Sequence, residues 1–315
     1  MVRTIAVALT LLIGLTGPSW AQTYPNKPLN LILTSGPGSS VEIIGRAFAE
    51  ALSADLGQPV VPQNRPGGAN VVGTAIVAAA PADGYTLGFT ASGPFASQPF
   101  LQSVPYKPDG FEFICQVLEL QIVLAVKADS PYRSLDDVVA AARASPGRIA
   151  VGTTGSASIP HIALSMLENM RSVKLNHIFF RGDSFALQSM LGGEIAMVGI
   201  ALGSITDQPV RPLAILGSKR VPTHPDLPTG AELGYPIVKT GMVGFFAPKG
   251  LPDAVRQRLD RACATAARNE QFLAAATKLN QPVDHVPGPE WERNIAADAR
   301  DNKDVIERLG LKAQN

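Results

Sequence analysis

The chain has 315 residues, 46% of them hydrophobic and 17% charged, with 27 lysines and arginines against 26 aspartates and glutamates. That apolar content suits a sizeable core and excludes a disordered chain, and the even charge balance excludes a broad basic surface for nucleic acid. An anionic partner would need a local site, because the molecule as a whole supplies no long-range attraction.

The first feature in chain order is Arg3 ahead of an apolar run from Ile5 to Leu15, broken at Gly17-Pro18 before Ser19-Trp20-Ala21. This is the pattern of a secretory signal peptide over residues 1–21. The run is roughly half the length that a membrane-spanning helix needs. A cleaved leader and a periplasmic location are expected. Cleavage would leave Gln22 in front with no cysteine for a lipid anchor, and would equalise basic and acidic residues at 26 each.

Strand-like and helix-like patterns then alternate. Leu29 to Thr34 reads as a strand, Val41 to Leu56 as a helix, Pro59 to Gln63 as a strand and Val71 to Ala80 as a helix. Strands at Tyr85 to Phe89 and Phe113 to Leu118 complete a first βαβ cycle. A second cycle starts at Ile122 to Val126. It continues through Leu135 to Ala144, Ile149 to Gly152, Ile159 to Met170, Leu175 to Phe180, Phe185 to Leu191 and Ile195 to Ile200, closing on Leu213 to Leu216. A turn-rich connector, Val221 to Pro236, leads to a strand at Val243 to Ala247. Helices follow at Pro252 to Arg268, Gln271 to Leu279 and Pro289 to Leu309.

The tail has no sheet of its own, so its helices must cover one already built. The expected fold is therefore α/β with two lobes, each a mainly parallel sheet flanked by helices. Lobe I would be 22–121 plus 240–315, and lobe II 122–239. Hinges are expected near Leu120 to Val123 and Ile237 to Met242.

Cys115 and Cys263 are the two cysteines. In an oxidising compartment a pair reads as a disulfide, with two separate buried thiols as the alternative.

Three loops lie where strands end and helices begin, the place where unpaired backbone N–H groups favour an anion in open α/β sheets. The first holds Ser35, Gly36, Gly38, Ser39 and Ser40; the second, Ser92 and Gly93; the third, in the other lobe, Thr153, Thr154, Gly155 and Ser156. Each alone reads equally as a turn with an N-cap. Their recurrence in both lobes points to a clamp.

Other chemistries find no support. Val41 stands where a dinucleotide fingerprint needs its third small residue, and Gly217-Ser218-Lys219 has the wrong order for a phosphate loop. There is no G-x-S-x-G, and Ser156, Ser158 and His161 have no neighbouring acid to orient the imidazole. Four scattered histidines and no C-x-x-C give no metal site. No cofactor and no catalysis are expected.

Several segments together resemble the Bug-type receptors of tripartite tricarboxylate transporters. They include Tyr24-Pro25-Asn26-Lys27-Pro28, the Thr34 to Arg46 loop, Gly57-Gln58-Pro59-Val60-Val61 and Asn64-Arg65-Pro66-Gly67-Gly68. Others are Ala82-Asp83-Gly84-Tyr85-Thr86-Leu87, Gly152 to His161, Met190-Leu191-Gly192-Gly193-Glu194 and Phe246-Ala247-Pro248. The likeness spans almost the whole chain after the leader. It implies a type II-like periplasmic binding protein that closes on a small carboxylate and hands it to membrane permease subunits. A monomer is the expected state. A sensory receptor signalling to a membrane kinase is the alternative, and a periplasmic hydrolase a more distant one.

Departures from the family pattern bear on the solute. This chain has Val41-Glu42 where a Thr-Asp pair is usual, Phe95 for a His, Phe180-Arg181 for a Tyr-Lys, and Ile200-Ala201 for an acid and a polar residue. The resemblance then implies fewer side-chain partners for hydroxyl or amino groups, with Phe95 and Phe180 as an apolar wall. An aliphatic or aromatic mono- or dicarboxylate is expected.

Overall fold

The computed structural model describes residues 24–311, so the expected leader lies outside the described residues. The chain opens with β1 (Leu29–Leu33), α1 (Ser40–Leu56), β2 (Val60–Asn64), α2 (Val71–Ala78), β3 (Thr86–Ala91), the single turn α3 (Gly93–Ala96) and β4 (Phe111–Leu120). The middle part is β5 (Ile122–Lys127), α4 (Leu135–Ala144), β6 (Ala150–Thr153), α5 (Ile159–Arg171), β7 (Asn176–Phe179), α6 (Asp183–Leu191), β8 (Met197–Ala201) and β9 (Val210–Ile215). It closes with β10 (Gly241–Pro248), α7 (Asp253–Ala266), α8 (Glu270–Lys278), β11 (Val283–Pro287) and α9 (Gly288–Leu309).

Local chemistry sets these bounds. Ser39 caps α1 by accepting the Glu42 N–H at 3.3 Å, and Glu42 accepts from the Gly38 N–H while pairing with Arg46 one turn on. Val41, Ile44, Phe48 and Leu52 turn one apolar face of the helix inward, and Gly57 ends it in the left-handed conformation. On α4 a reciprocal pair does the same work: Ser134 accepts from Asp137 N–H, and the Asp137 carboxylate accepts from Ser134 N–H.

Two sheets result, one ordered β11-β4-β10-β3-β1-β2 and the other β7-β6-β8-β5-β9. Strands joined through helices pair in parallel: β1 with β2 and β3, and β6 with β7 and β8. The rest pair antiparallel: β10 with β3 and β4, β11 with β4, and β5 with β8 and β9. The sheets are thus more mixed than a βαβ rhythm implies. The antiparallel strands include those that carry the chain between sheets, where no helix crossover sets the direction. Only Gln121 separates β4 from β5, so one nearly continuous strand runs from the first sheet into the second.

The returning tail covers the first sheet and also adds β11 to its edge, a short strand between Pro282 and Pro287 that the sequence pattern does not reveal. Helix α9 reaches the other lobe, where Val305 and Ile306 pack with Ile162.

The cores differ. In lobe I, Phe48 contacts Phe89, Phe245 and Phe272, while Phe95, Phe111, Phe113, Phe246 and Trp291 form a second aromatic group. The Cys115–Cys263 disulfide ties β4 to α7 across 148 residues of sequence. Restricting so long a loop in the unfolded chain is worth about 2–5 kcal/mol. The lobe II core is aliphatic, built on Val123, Leu187, Met190, Val198 and Ile200. Among the described residues no helix is long and apolar enough to cross a membrane.

Candidate functional site

A cavity of about 270 Å³ lies between the two sheets. That size is at the small end for ligand pockets and suits a compact solute. Four helices start at it: Ser39, Asn70, Ser158 and Gly182, the N-cap residues of α1, α2, α5 and α6, all line the cavity. Two of these helices belong to each lobe. A helix N-terminus carries unpaired N–H groups and roughly half a positive charge, so four ends converging on one cavity favour an anion.

The expected loop residues gather here. Ser35, Gly36, Ser39 and Gly93 line the cavity from lobe I, and Thr154, Gly155, Ser156 and Phe180 from lobe II. Gly38, Ser40, Ser92 and Thr153 each stand next in sequence to a lining residue without lining the cavity themselves. Beneath the first two loops, Thr34 Oγ1 donates to Thr90 Oγ1 at 2.7 Å, joining the ends of β1 and β3. The hydroxyls of Ser40, Ser92, Thr153 and Ser158 are buried without a hydrogen-bond partner among the described residues. Each buried and unpaired hydroxyl costs about 1–3 kcal/mol, which a polar solute or water can relieve.

Phe95 corrects the expected apolar wall. Its side chain is 2% exposed and packs edge-on against Phe111, Phe113 and Phe246, so it belongs to the core of lobe I and not to the cavity. Phe180 alone of the pair lines the cavity, together with Phe179, Ile159 and Ile200.

The rims of the lobes touch. Ser184 Oγ donates to Pro37 O at 2.9 Å, Gln98 Nε2 to Ser156 O at 2.9 Å and Ser97 Oγ to Ala157 O at 3.1 Å. Two glycines make this approach possible. A Cβ on Gly36 would sit 3.3 Å from Arg181 O, and one on Gly155 only 3.0 Å from the Ala69 Cβ, with Gly155 also at φ +119°.

Sequence reasoning missed two parts of the site. The first is Gly67-Gly68-Ala69-Asn70, which lines the cavity with four consecutive residues at positive φ. Its signal was visible: a Pro-Gly-Gly turn between a strand and a helix, matching the three loops that were singled out. The second is Asp183, the first residue of α6, which with Arg181 supplies the charged side chains of the lining. An acid at a helix start reads as an ordinary complement to the helix dipole, and its burial cannot be read from sequence.

Asp183 Oδ2 accepts from Ala201 N–H at 3.2 Å and from Ser204 Oγ at 2.7 Å. Burial pushes its pKa up to about 6, against the lowering effect of those two bonds. Ser204 Oγ in turn accepts from Ser40 N–H of lobe I at 3.3 Å, so the carboxylate is linked through one hydroxyl to the start of α1. His161 sits behind the third loop. Its Nδ1 accepts from Ala157 N–H at 2.7 Å, and burial, with His177 beside it, pushes its pKa down to about 3. A neutral His161 thus holds Ala157 at φ +47° and sets the turn that presents Gly155 and Ser156.

Known proteins share this architecture. Residues 44–311 match the family described as tripartite tricarboxylate transporter family receptor. The protein BugT of Bordetella pertussis is 33% identical over 294 residues, which are 90% of each chain. Among solved structures, the periplasmic binding protein BugD superposes with a TM-score of 0.86 at 26% identity, over 92% of this chain and 100% of its own. Two Rhodopseudomonas palustris proteins share the fold at 22% identity. One, solved with adipate, has a TM-score of 0.87 over 92% of this chain and 99% of its own. The other, MatC with bound malate, has 0.82 over 90% and 100%.

Proposed function

Because the chain belongs to the receptor family of tripartite tricarboxylate transporters, we propose that it captures a small carboxylate in the periplasm and delivers it to membrane permease subunits. The observation that carries this reading is the convergence of four helix N-termini, two from each lobe, on one small cavity. Such a cavity gives a carboxylate charge-assisted hydrogen bonds from backbone N–H groups, with Arg181 the one lysine or arginine among its lining residues. Adipate and malate in two proteins of the same fold support the solute class.

In this reading the lobes are 22–121 with 240–315, and 122–239. They close about Leu120 to Val123 and Ile237 to Met242, bringing the loops of Gly36, Ser39, Thr154 and Gly155 onto the solute. Receptors of this family bind solutes and do not transform them, so a bound molecule is expected to be recovered unchanged.

A thermal-shift screen of the chain without residues 1–21 against short mono- and dicarboxylates, adipate and malate included, tests the proposal. A carboxylate that binds only the folded protein raises Tm in a concentration-dependent way. No shift from any carboxylate of the panel would contradict it.

A further inference from the structure

Asp183 fits poorly with a cavity whose purpose is to hold anions. One of the four helix N-termini around the cavity, that of α6, already carries this residue's carboxylate in its first turn. The side chain is buried, and Ser204 and Ala201 are the groups that stabilise its charge; no cation among the described residues takes part. Their two bonds end on one oxygen, Oδ2. Tying Ala201 and Ser204 together needs a single acceptor oxygen, which a neutral asparagine also has. A carboxylate brings a second oxygen and a charge whose burial is costly. The structural task therefore does not account for the charge.

Beyond those two bonds and the start of α6, the surroundings offer that charge no ionic partner. The elements packed against α6 are β8, β6, β5 and the turn Leu202–Ile205. They carry one titratable side chain, Lys127, at the far end of β5 beside Asp129. In lobe I, Glu42 at the start of α1 is already occupied by Arg46 and the Gly38 N–H. Arg181 also lines the cavity but is exposed, where solvent and salt screen it; Asp183 is not screened in that way.

We propose that Asp183 sets the solute class of this cleft: it selects a carboxylate that carries a hydrogen-bond donor, a hydroxyl or an ammonium, at its other end, over a dicarboxylate with both ends ionised. The inference rests on the carboxylate-binding reading of the cleft. The solute's own carboxylate takes the starts of α1, α2 and α5, where the one resident acid, Glu42 of α1, is already paired with Arg46. The end that reaches α6 meets a resident anion, which rejects a second negative charge and accepts a proton donor. This reverses the sequence-based expectation of few partners for hydroxyl and amino groups.

Three probes of equal chain length test it in calorimetric titrations at pH 7.5: adipate, 6-hydroxyhexanoate and 6-aminohexanoate. The wild-type chain is expected to bind at least one of the latter two about tenfold or more tightly than adipate. The hydroxy and amino arms tell a neutral donor from a cation. Asp183→Asn keeps the acceptor for Ala201 and Ser204 but removes the charge, and is expected to reduce that preference about tenfold. Ser204→Ala breaks a bond that stabilises the Asp183 charge and so raises its pKa further; titrated at about pH 9, where the carboxylate stays ionised, it is expected to weaken all probes alike and to leave their ratio unchanged, so the preference stays testable if Asp183→Asn folds poorly. Tighter binding of adipate by the wild type, an unchanged ratio in Asp183→Asn, or a ratio lost in Ser204→Ala overturns the inference. Failure of the wild type to bind any of the three probes or any member of the carboxylate panel overturns the function proposed above, and this inference with it.

Discussion

Lobe I and lobe II meet the cavity with the same device, a strand running into a glycine- and serine-rich loop and then a helix, but they are built differently behind it. Lobe I rests on two groups of edge-to-face phenylalanines and a disulfide. Lobe II has an aliphatic core, and it places two buried titratable side chains, His161 and Asp183, next to its loops. The backbone part of the site is thus shared between the lobes, and the side-chain chemistry is concentrated in one.

The largest effect should come from the contact between the lobes. Gly155→Val places a branched side chain at φ +119° against Ala69, and should weaken carboxylate binding by about 100-fold. The backbone strain at φ +119° should also lower its Tm by a few degrees, so the affinity is read at a temperature where the variant is folded. Unchanged affinity by calorimetry would show that the lobes need not approach at this point.

On folding stability the largest effect is expected at the staple of lobe I. Cys263→Ala is expected to cost about 2–5 kcal/mol in denaturant unfolding. Because Cys263 lies in the core of lobe I and away from the cavity lining, solute affinity at a temperature where the variant is folded should be nearly unchanged. A matching loss of affinity would count against the division of roles.

A smaller effect is expected at His161. Replacing it with Phe removes the acceptor for Ala157 N–H and leaves a buried donor unpaired, a loss of about 1–3 kcal/mol. The consequence should be local: faster amide exchange in the Thr153 to Ser158 loop and weaker solute binding. Protection equal to wild type would show that the turn holds without the ring.

The smallest effect is a pH slope on which the two lobe II groups oppose each other. An unfolded histidine takes a proton below about pH 6.5, while His161 in the fold resists it down to about 3, so its contribution to stability is lost as pH falls through that window. Asp183 has the opposite sign: its folded pKa of about 6 lies above the unfolded value of about 3.9, so stability rises as pH falls between them. Each slope is at most about 1.4 kcal/mol per pH unit. Melting curves between pH 7 and 4 should therefore show a steeper loss in Asp183→Asn and a shallower one in His161→Phe. Identical slopes in both variants would remove these two residues from the account.

Much of this was legible in the sequence because it depends on local patterns. Helix α4 and the inward face of α1 follow from apolar spacing and capping residues, and the paired Gly-Ser loops mark where strands hand over to helices. What stayed hidden depends on which surfaces meet. Phe95 belongs to a run that looks like a loop, and only the packing of Phe111, Phe113 and Phe246 around it decides that it faces inward. Asp183 looks like a routine helix-start acid until the end of β8 folds over it. Strand β11 is too short and too bounded by prolines to announce itself, and it exists because β4 offers an open edge.

The most direct test of the central claim is a crystal structure of the chain with the carboxylate that gives the largest thermal shift. The account predicts the solute enclosed between the lobes. Its carboxylate oxygens should lie within hydrogen-bonding distance of backbone N–H groups at the starts of α1, α2 or α5, with its other end toward Asp183. A carboxylate bound outside this cavity, or held there by Arg181 alone with the helix N-termini unused, would contradict it.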